Sequence, residues 1–112
     1  MQFLALIYSS EGSEDVPMSE LMGQYMDFGE RAGAAGVVEG GNALQPIATA
    51  TSVQIRQGKQ TILDGPFAET KEQLGGYYLL QCKDLDEAIM WAAQIPTARY
   101  GTVEVRPVHN FG

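Results

Sequence analysis

The chain has 112 residues, of which 45% are hydrophobic, and this content predicts one folded domain over residues 1–112 rather than a disordered chain. Its formal net charge of −7 and its seven scattered Lys and Arg residues argue against nucleic-acid binding, which needs clustered basic side chains. No apolar run approaches the ~20 residues that span a bilayer, and the apolar start lacks a basic leader. We therefore expect a cytoplasmic protein with no membrane partner.

The residue types that hold common cofactors are also missing from the sequence. The single cysteine, Cys82, excludes an internal disulfide and a Cys-based metal cluster. No phosphate-binding Gly-x-x-x-x-Gly-Lys-Ser/Thr pattern is present, and no Gly-x-Gly-x-x-Gly follows a strand. We expect no cofactor and no metal. The acidic residues near the first helix are interpreted as a solvated loop and helix start: Glu11, Glu14, Asp15 and Glu20.

The first third of the chain predicts a strand and a helix. The apolar run 3–8 indicates a central strand that is buried on both faces, and a polar loop follows. The helix is expected to begin near Asp15 or Ser19, with Asp15 as a possible N-cap and Pro17 in its first turn. Gly33 and Gly36 supply stop signals. Residues at spacings of three and four predict the buried face: Met18, Leu21, Met22, Tyr25, Gly29 and Ala32. We interpret Met18, Met22 and Met26 as core residues, the alternative being an adaptable binding surface.

The middle of the chain predicts short strands and a hairpin. Val37 and Val38 can form a short strand that ends at Gly40–Gly41–Asn42, and Pro46 keeps residues 43–50 extended. Val53 and Ile55 alternate with polar residues, which is typical of a strand with one wet face. A tight turn at Gly58–Lys59 would then lead into a partner strand over residues 60–63.

The last third predicts a strand, a helix and a final strand. Residues 77–82 are strongly apolar. Asp84 and Glu87 have the spacing of a capping box that begins the second helix, and Pro96 marks its end. This helix is expected to bury Leu85, Ala88, Ile89 and Ala92. Val103 and Val105 alternate with Glu104 and Arg106 in the last strand.

The resulting order, β-α-β-β-β-α-β, predicts an α+β domain with a ferredoxin-like antiparallel sheet and two helices on one face. Two helices cover one face of such a sheet, yet strands 3–8 and 77–82 carry apolar residues on both faces. Large exposed apolar patches are rare on monomers, and a second copy is the simplest cover. We therefore predict a homodimer in which the open sheet face of one copy meets that of the other.

The candidate site is the segment 64–76, where acidic, basic, Gly and Pro residues lie between two apolar strands. Asp64 ends a strand and enters a Gly-Pro turn. At the rim of an apolar cavity, desolvation would favour its protonated form and suit it to general acid or base catalysis. The alternative is a turn in which Asp64 bonds its own backbone.

Other residues of this segment, and three outside it, complete the candidate site. Lys71 could bind an anionic substrate or form a surface ion pair with Glu69. Asp64, Glu69 and Glu72 could in principle hold a divalent cation, although nothing else supports such a site. Tyr77 and Tyr78 must face opposite sides of the sheet. Arg106 could clamp a carboxylate or pair with Glu104. The predicted substrate-binding residues are Tyr8, Gly65, Pro66, Phe67, Lys71, Tyr77 and Arg106.

The residues Asp64-Gly65-Pro66-Phe67-Ala68-Glu69-Thr70-Lys71-Glu72, followed by Gln-Leu-Gly-Gly-Tyr-Tyr, resemble the signature of the DGPF family within the YCII-related superfamily. The resemblance extends over nearly the whole chain, through residues 4–8, 43–46, 84–88 and 103–107. It implies a ferredoxin-like fold that pairs into a dimeric α/β barrel. The wider group is thought to include enzymes with a pocket centred on His and Asp, whereas the one histidine here, His109, lies in the tail.

Two classes of function remain open. The first is a cofactor-independent, isomerase- or lyase-like enzyme in which Asp64 transfers a proton on a small molecule in a cleft. The second is a non-catalytic dimeric module that binds a ligand or a protein partner. The resemblance implies an association of such proteins with alternative sigma factors, which fits a regulatory role. A purely structural dimer would not explain the polar residues of segment 64–76.

Overall fold

The computed structural model describes residues 1–12 and 16–111. Glu14 and the predicted N-cap Asp15 lie outside the described residues. The secondary-structure elements follow in chain order: β1 (Gln2–Ser9), α1 (Met18–Ala34), β2 (Val38–Ala43), β3 (Thr51–Arg56), β4 (Lys59–Asp64), β5 (Gln73–Gln81), α2 (Leu85–Ala92) and β6 (Thr102–Pro107). Short 3-10 helices occupy Ile47–Thr49 and Pro96–Arg99. No helix among the described residues is both long enough and apolar enough to cross a membrane.

Four strands form one antiparallel sheet in the order β2-β5-β1-β6, and β3 and β4 form a separate hairpin. The four-stranded sheet with two helices is the α+β architecture predicted from the sequence and is consistent with a ferredoxin-like fold. Four strands, β2 to β5, lie between α1 and α2; each was predicted individually, but the predicted order counted only three of them. The central position predicted for the first strand is confirmed, since β1 pairs with β5 on one side and β6 on the other.

Two strands are longer than the sequence predicts, because their glycines stay in the sheet. β2 continues through Gly40 and Gly41 instead of ending there. At Gly41 a Cβ atom would lie 2.6 Å from the carbonyl oxygen of Tyr77, so only glycine fits between these strands. β5 likewise begins at Gln73 and includes Gly75 and Gly76, which the sequence interpretation assigned to the end of a loop.

The core lies between the sheet and the two helices. β1 contributes Phe3, Ala5 and Ile7, and α1 contributes Phe28 and Ala32. The ring centroid of Phe28 is 5.2 Å from that of Tyr78 and 6.3 Å from that of Trp91. Aromatic pairs at such separations add to the stabilisation from buried area.

The prediction that the α1 methionines belong to the core is wrong. Met18, Met22 and Met26 are 58–68% exposed and form a stripe on the solvent side of the helix. The packed side instead carries Tyr25, half-buried, together with the buried residues Phe28 and Ala32. Pro17 is the N-cap residue rather than part of the first turn, and α1 ends before Gly36, whose φ of +71° suits glycine.

In α2 the N-cap at Asp84 is confirmed, but Glu87 reaches back to Lys83 N instead of Asp84 N, and the predicted buried face is only half correct. The Asp84 carboxylate accepts a hydrogen bond from Glu87 N at 2.9 Å, and Glu87 accepts one from Lys83 N at 2.8 Å. Ala88 and Ala92 are buried, whereas Leu85 and Ile89 are 47% and 51% exposed. The helix therefore presents an apolar stripe to solvent as well as one to the sheet.

The sheet face away from the helices, called here the open face, is apolar at its centre. Cross-strand register places Leu4 opposite Leu79, and Leu6 opposite Tyr77, on this face. The thinnest extent of the protein is 18 Å, which accommodates a sheet and one layer of helices but no third layer. Among the residues that the structure describes, none forms a layer over the half-buried side chains of the open face.

The hairpin β3–β4, residues 51–64, is called here the arm. Its two-residue turn lies at Gln57–Gly58, one residue earlier than predicted, with φ values of +52° and +76°. Two positive φ values are the signature of a type I′ hairpin turn. Residues 43–50, predicted to be extended, contain the 3-10 helix Ile47–Thr49 instead.

Candidate functional site

Asp64 is the last residue of β4 and is exposed to solvent. The turn after it is fixed by two hydrogen bonds, one to a residue of β3 and one to the residue just before β3. Gly65 N donates to Ala50 O at 2.6 Å, and the Ser52 hydroxyl donates to Gly65 O at 2.8 Å. Gly65 has a φ of +105°, a conformation that favours glycine. The backbone therefore holds the Asp64 carboxylate at the base of the arm.

Hydrogen bonds tie the rest of the segment 64–76 to the end of the sheet. The Ser10 hydroxyl, just beyond β1, donates to Lys71 O at 2.8 Å. The Thr102 hydroxyl of β6 donates to the half-buried Glu72 carboxylate at 2.8 Å. Gln73 Nε2 donates to Thr70 O at 2.8 Å. The segment thus crosses the ends of β1 and β6, beside the open face.

Tyr8, Tyr77 and Arg106 share the open face. Tyr77 lies opposite Leu6, Arg106 lies opposite Leu4, and Tyr8 is two residues along β1 from Leu6. The alternation argument for the two tyrosines is confirmed, because Tyr78 packs on Phe28 in the core on the other face. Arg106 and Glu104 are on the same face as predicted, but no ion pair joins them in the part of the chain that the structure describes.

The eight predicted site residues therefore fall into two groups. Tyr8, Tyr77 and Arg106 lie on the sheet, while Asp64, Gly65, Pro66, Phe67 and Lys71 belong to the segment beside it. Phe67 is 79% exposed. Two hydrogen bonds connect the segment to the sheet: Ser10 bonds Lys71, and Thr102 bonds Glu72. Neither bond joins two of the eight predicted residues.

Three polar residues of this region were missed as binding groups. Asn42 Nδ2 donates to the Tyr77 hydroxyl at 2.8 Å and orients it at the β2 edge of the open face. Glu72 accepts a hydrogen bond from Thr102 at the β6 edge of the sheet. On the sequence alone, Glu72 was considered only as a cation ligand. Glu104 lies opposite Leu6 and was considered only as a partner of Arg106. Pairing register, which depends on β2 extending past Gly41, is the signal that would have identified Asn42.

Burial shifts the pKa values of two ionisable groups near the core, Tyr78 and Cys82. Burial raises the pKa of Tyr78, and the neighbouring Tyr25 adds to the shift. Burial also raises the pKa of the Cys82 thiol, with a further contribution from Glu87. Cys82 is therefore a buried thiol rather than an activated nucleophile. Across the described residues, no three His, Cys, Asp or Glu side chains come together as a metal site, so Asp64, Glu69 and Glu72 do not cluster.

A groove of about 520 Å³ lies on the helix side of the protein, and none of the predicted site residues lines it. It is lined by Glu20, Gln24, Asp27, Arg31 and Arg99, among others. Arg31 is already engaged there, with Asp27 at 2.9 Å and with Gln94. The groove is polar and open to solvent, and ligand pockets are instead mostly apolar and largely preformed. The open face has the more apolar surface of the two, with Leu4, Leu6 and Leu79 at its centre.

The YCII-related domain model matches residues 1–112, the full length of the chain. The chain belongs to the YCII-related family. An uncharacterised protein of Rhizobium meliloti (strain 1021) is 36% identical over 105 residues, which are 90% of this chain and 79% of that protein. The family membership agrees with the fold, and the relative's description assigns no activity.

Proposed function

We propose that this YCII-related protein is a homodimer that binds a small organic molecule between two stacked sheets. The observation that carries the proposal is the open face, with an apolar floor of Leu4, Leu6 and Leu79 and no covering layer. Polar groups at its margins, Tyr77 with Asn42 on one side and Arg106 on the other, would orient the ligand. Binding sites commonly combine an apolar lining with a few such polar groups.

Asp64 is the proposed general acid or base, and the chemistry would be isomerase- or lyase-like without a cofactor. Its position supports this role in one respect: two backbone-anchoring bonds fix the turn that carries it. In the single chain its carboxylate is exposed, so the low-polarity surroundings required for the role must come from a second copy or a ligand. Gly65, Pro66, Phe67 and Lys71 would form the ligand's outer wall.

We also propose that the chain belongs to the DGPF branch of the family, on the strength of its segment 64–72. The dimeric α/β barrel expected of that branch would bury the open faces of both copies. A cytoplasmic location stays a prediction, which fractionation of the source cells would test.

A thermal-shift screen of small carboxylates, lactones, phenols and nucleotides tests the binding proposal. A ligand that binds only the folded protein raises its melting temperature. We expect a hit to stabilise the wild type and to lose most of its effect in Tyr77→Phe and Asp64→Asn. Glu69→Gln is the matched control, because Glu69 is an exposed acid of the same segment.

A hit that stabilises Asp64→Asn as well as the wild type would remove Asp64 from the site but leave the open face in place. A hit unaffected by Tyr77→Phe and by Arg106→Gln would place the ligand elsewhere. If no compound of any class shifts the melting temperature, the binding proposal fails and the partner-binding alternative below becomes the better account.

The exposed methionine stripe of α1 favours that second candidate, a non-catalytic module that binds a protein partner. Met18, Met22 and Met26 recur every four residues on one side of the helix. Methionine is flexible and polarizable, and it is used at adaptable binding surfaces. A pull-down in which Met22→Asp loses a partner that the wild type retains would support this function. Recovery of no partner, together with a measured turnover, would reject it.

A further inference from the structure

We infer that the arm of each copy packs its apolar face into the groove between α2 and β6 of the second copy. This inference rests on the homodimer proposed above and adds a second contact to it. The contact involves surfaces other than the open face, and it also encloses the base of the arm, where Asp64 lies.

The arm has its apolar side turned outward. Val53 pairs with Ile62 across the hairpin, so these two residues and Ile55 share one face. All three are 57–63% exposed. The half-buried residues of β3 are instead the polar residues Ser52 and Gln54 on the other face. A strand that exposes its apolar side and shelters its polar side has the pattern of an element that is covered by a partner.

The pairing of its own two strands is not enough to stabilise the arm. A lone two-stranded hairpin is at best marginally stable in water. The chain leading into the arm is tied to the body by the bond from Ile47 N to the Glu11 carboxylate at 2.7 Å, whereas the bond from Gly65 N to Ala50 O continues the pairing of the hairpin itself. The radius of gyration is 15.9 Å, whereas a compact chain of this length would have about 13 Å. The arm therefore projects from the body instead of packing on it.

The groove between α2 and β6 offers a matching surface. Its volume is about 220 Å³, and its lining is entirely apolar: Ile89, Ala92, Ala93, Ala98, Val103 and Val105. Leu85 continues the apolar stripe of α2 toward the start of the helix and is exposed. An apolar groove lined in part by the small side chains of alanines leaves room for the branched side chains of Val53, Ile55 and Ile62.

Charge identifies a second copy as the occupant. The chain carries a formal net charge of −7, to which the arm contributes +1 through Arg56, Lys59 and Asp64, so the rest of the chain carries −8. Arg56 and Lys59 flank the tip of the arm. The first turn of α2, beside the groove, holds Asp86 and Glu87. A basic tip on an acidic chain is complementary to another copy of the same chain, and such complementarity guides association and register.

The topology favours exchange between copies. The arm leaves the body after β2, at one edge of the sheet, and the groove lies beside β6, at the other edge. A two-fold axis that runs along the strands of two stacked sheets places the β2 edge of each copy opposite the β6 edge of the other. Asp64 lies on the same face of the arm as Ile62, so docking would also shield its carboxylate from water.

Cysteine cross-linking between two distinguishable chains tests the contact. One chain carries Ile62→Cys, and the other, lengthened by a tag, carries Ala93→Cys. Both positions are exposed, and the native Cys82 is buried, so folding and background labelling should be unaffected. After co-refolding and treatment with a short bis-maleimide, we expect a covalent product of one tagged and one untagged chain. Thr61→Cys, on the other face of the arm, is the matched control and should give far less.

The possible outcomes separate this inference from the homodimer. Equal cross-linking from Thr61→Cys and Ile62→Cys would overturn the assigned face of the arm. No cross-linked product from a protein with the mass of a dimer would overturn the arm contact and leave the open-face dimer intact. A protein with the mass of a single chain would overturn both.

Discussion

Tyr78 and Cys82 are the residues whose ionisation the fold opposes. Each has a raised pKa because burial disfavours the charged form, and the neighbours Tyr25 and Glu87, respectively, strengthen the shifts. Since the folded-state pKa lies above that of the unfolded chain, the neutral group contributes its full stability below the unfolded value. That stability is lost as the pH rises through the folded value.

We therefore expect the free energy of unfolding to fall as the pH rises above the ordinary thiol value of 9.0 and then above the ordinary phenol value of 10.0. Urea denaturation at a series of pH values, from about 8 as the reference up to about 11, would measure this fall. At each pH the free energy of unfolding is obtained by linear extrapolation to zero urea. Cys82→Ala should flatten the first part of the decline, and Tyr78→Phe the second. A decline that is the same in both variants as in the wild type would contradict this assignment.

Among the described glycines, Gly101 has the least room for a side chain. A Cβ atom there would lie 2.0 Å from the carbonyl oxygen of Tyr8, and backbone cannot move aside as a flexible side chain can. We expect Gly101→Ala to destabilise the protein by roughly 1–3 kcal/mol, the usual cost of overpacking. Gly29→Ala is the control, because Gly29 is exposed within α1 with no atom within 4 Å of its Cβ position. It should stabilise by up to about 1 kcal/mol, and a stable Gly101→Ala variant would contradict the geometry.

The sequence is informative about residues only where alternation or burial decides the outcome. The opposite faces of Tyr77 and Tyr78 and the shared face of Glu104 and Arg106 were both predicted in this way. The bond from Asn42 to Tyr77 and the tight fit at Gly101 depend on how distant strands pair. Neither can be predicted from local pattern.

At the scale of elements, α1 has two apolar stripes and buries only one. Phe28 packs between Tyr78 and Trp91, whereas the methionine stripe faces solvent. We expect Phe28→Ala to destabilise the protein by about 3–5 kcal/mol, because it leaves a cavity among aromatic rings. Met22→Ala should change stability by less than about 0.5 kcal/mol, as exposed substitutions usually do. Equilibrium denaturation of both variants would compare them.

The two methionine interpretations give opposite results in that experiment. A Met22→Ala variant that loses as much stability as Phe28→Ala would restore the original prediction of a methionine core. The periodicity of the sequence could not decide between the stripes, since Met18, Met22 and Met26 are as apolar as the residues that are buried. Secondary structure was easier to predict: the Asp84 cap of α2 and the paired strands of the arm both appear where expected.

The same ambiguity affects the strands. The alternation of Val53 and Ile55 with polar residues predicts one wet face, yet within the single chain the apolar face of β3 is the exposed one, while Ser52 and Gln54 are half-buried. The pattern is satisfied only if another surface covers the apolar side. The local sequence therefore indicates that the apolar face of the arm is covered. Which surface covers it depends on how two copies of the chain pack together.

At the scale of the whole molecule, the sheet has two apolar faces and the helices cover one of them. The sequence predicts more apolar sheet surface than two helices can cover, and the chain has one helical layer and a thinnest extent of 18 Å. The candidate ligand site is incomplete for the same reason, because the open face supplies a floor and margins but no opposite wall. The identity of the ligand depends on the shape of the enclosed space, which a single chain does not contain.

The molar mass in solution, measured by multi-angle light scattering at micromolar concentration, tests this claim most directly. We expect twice the 12.1 kDa of one chain for the wild type. Leu6→Glu, which places a carboxylate at the centre of the open face, should reduce the mass to that of one chain, while Met22→Glu on exposed α1 should not. A wild type with the mass of a single chain would contradict the account, and so would a Leu6→Glu variant that remains fully dimeric.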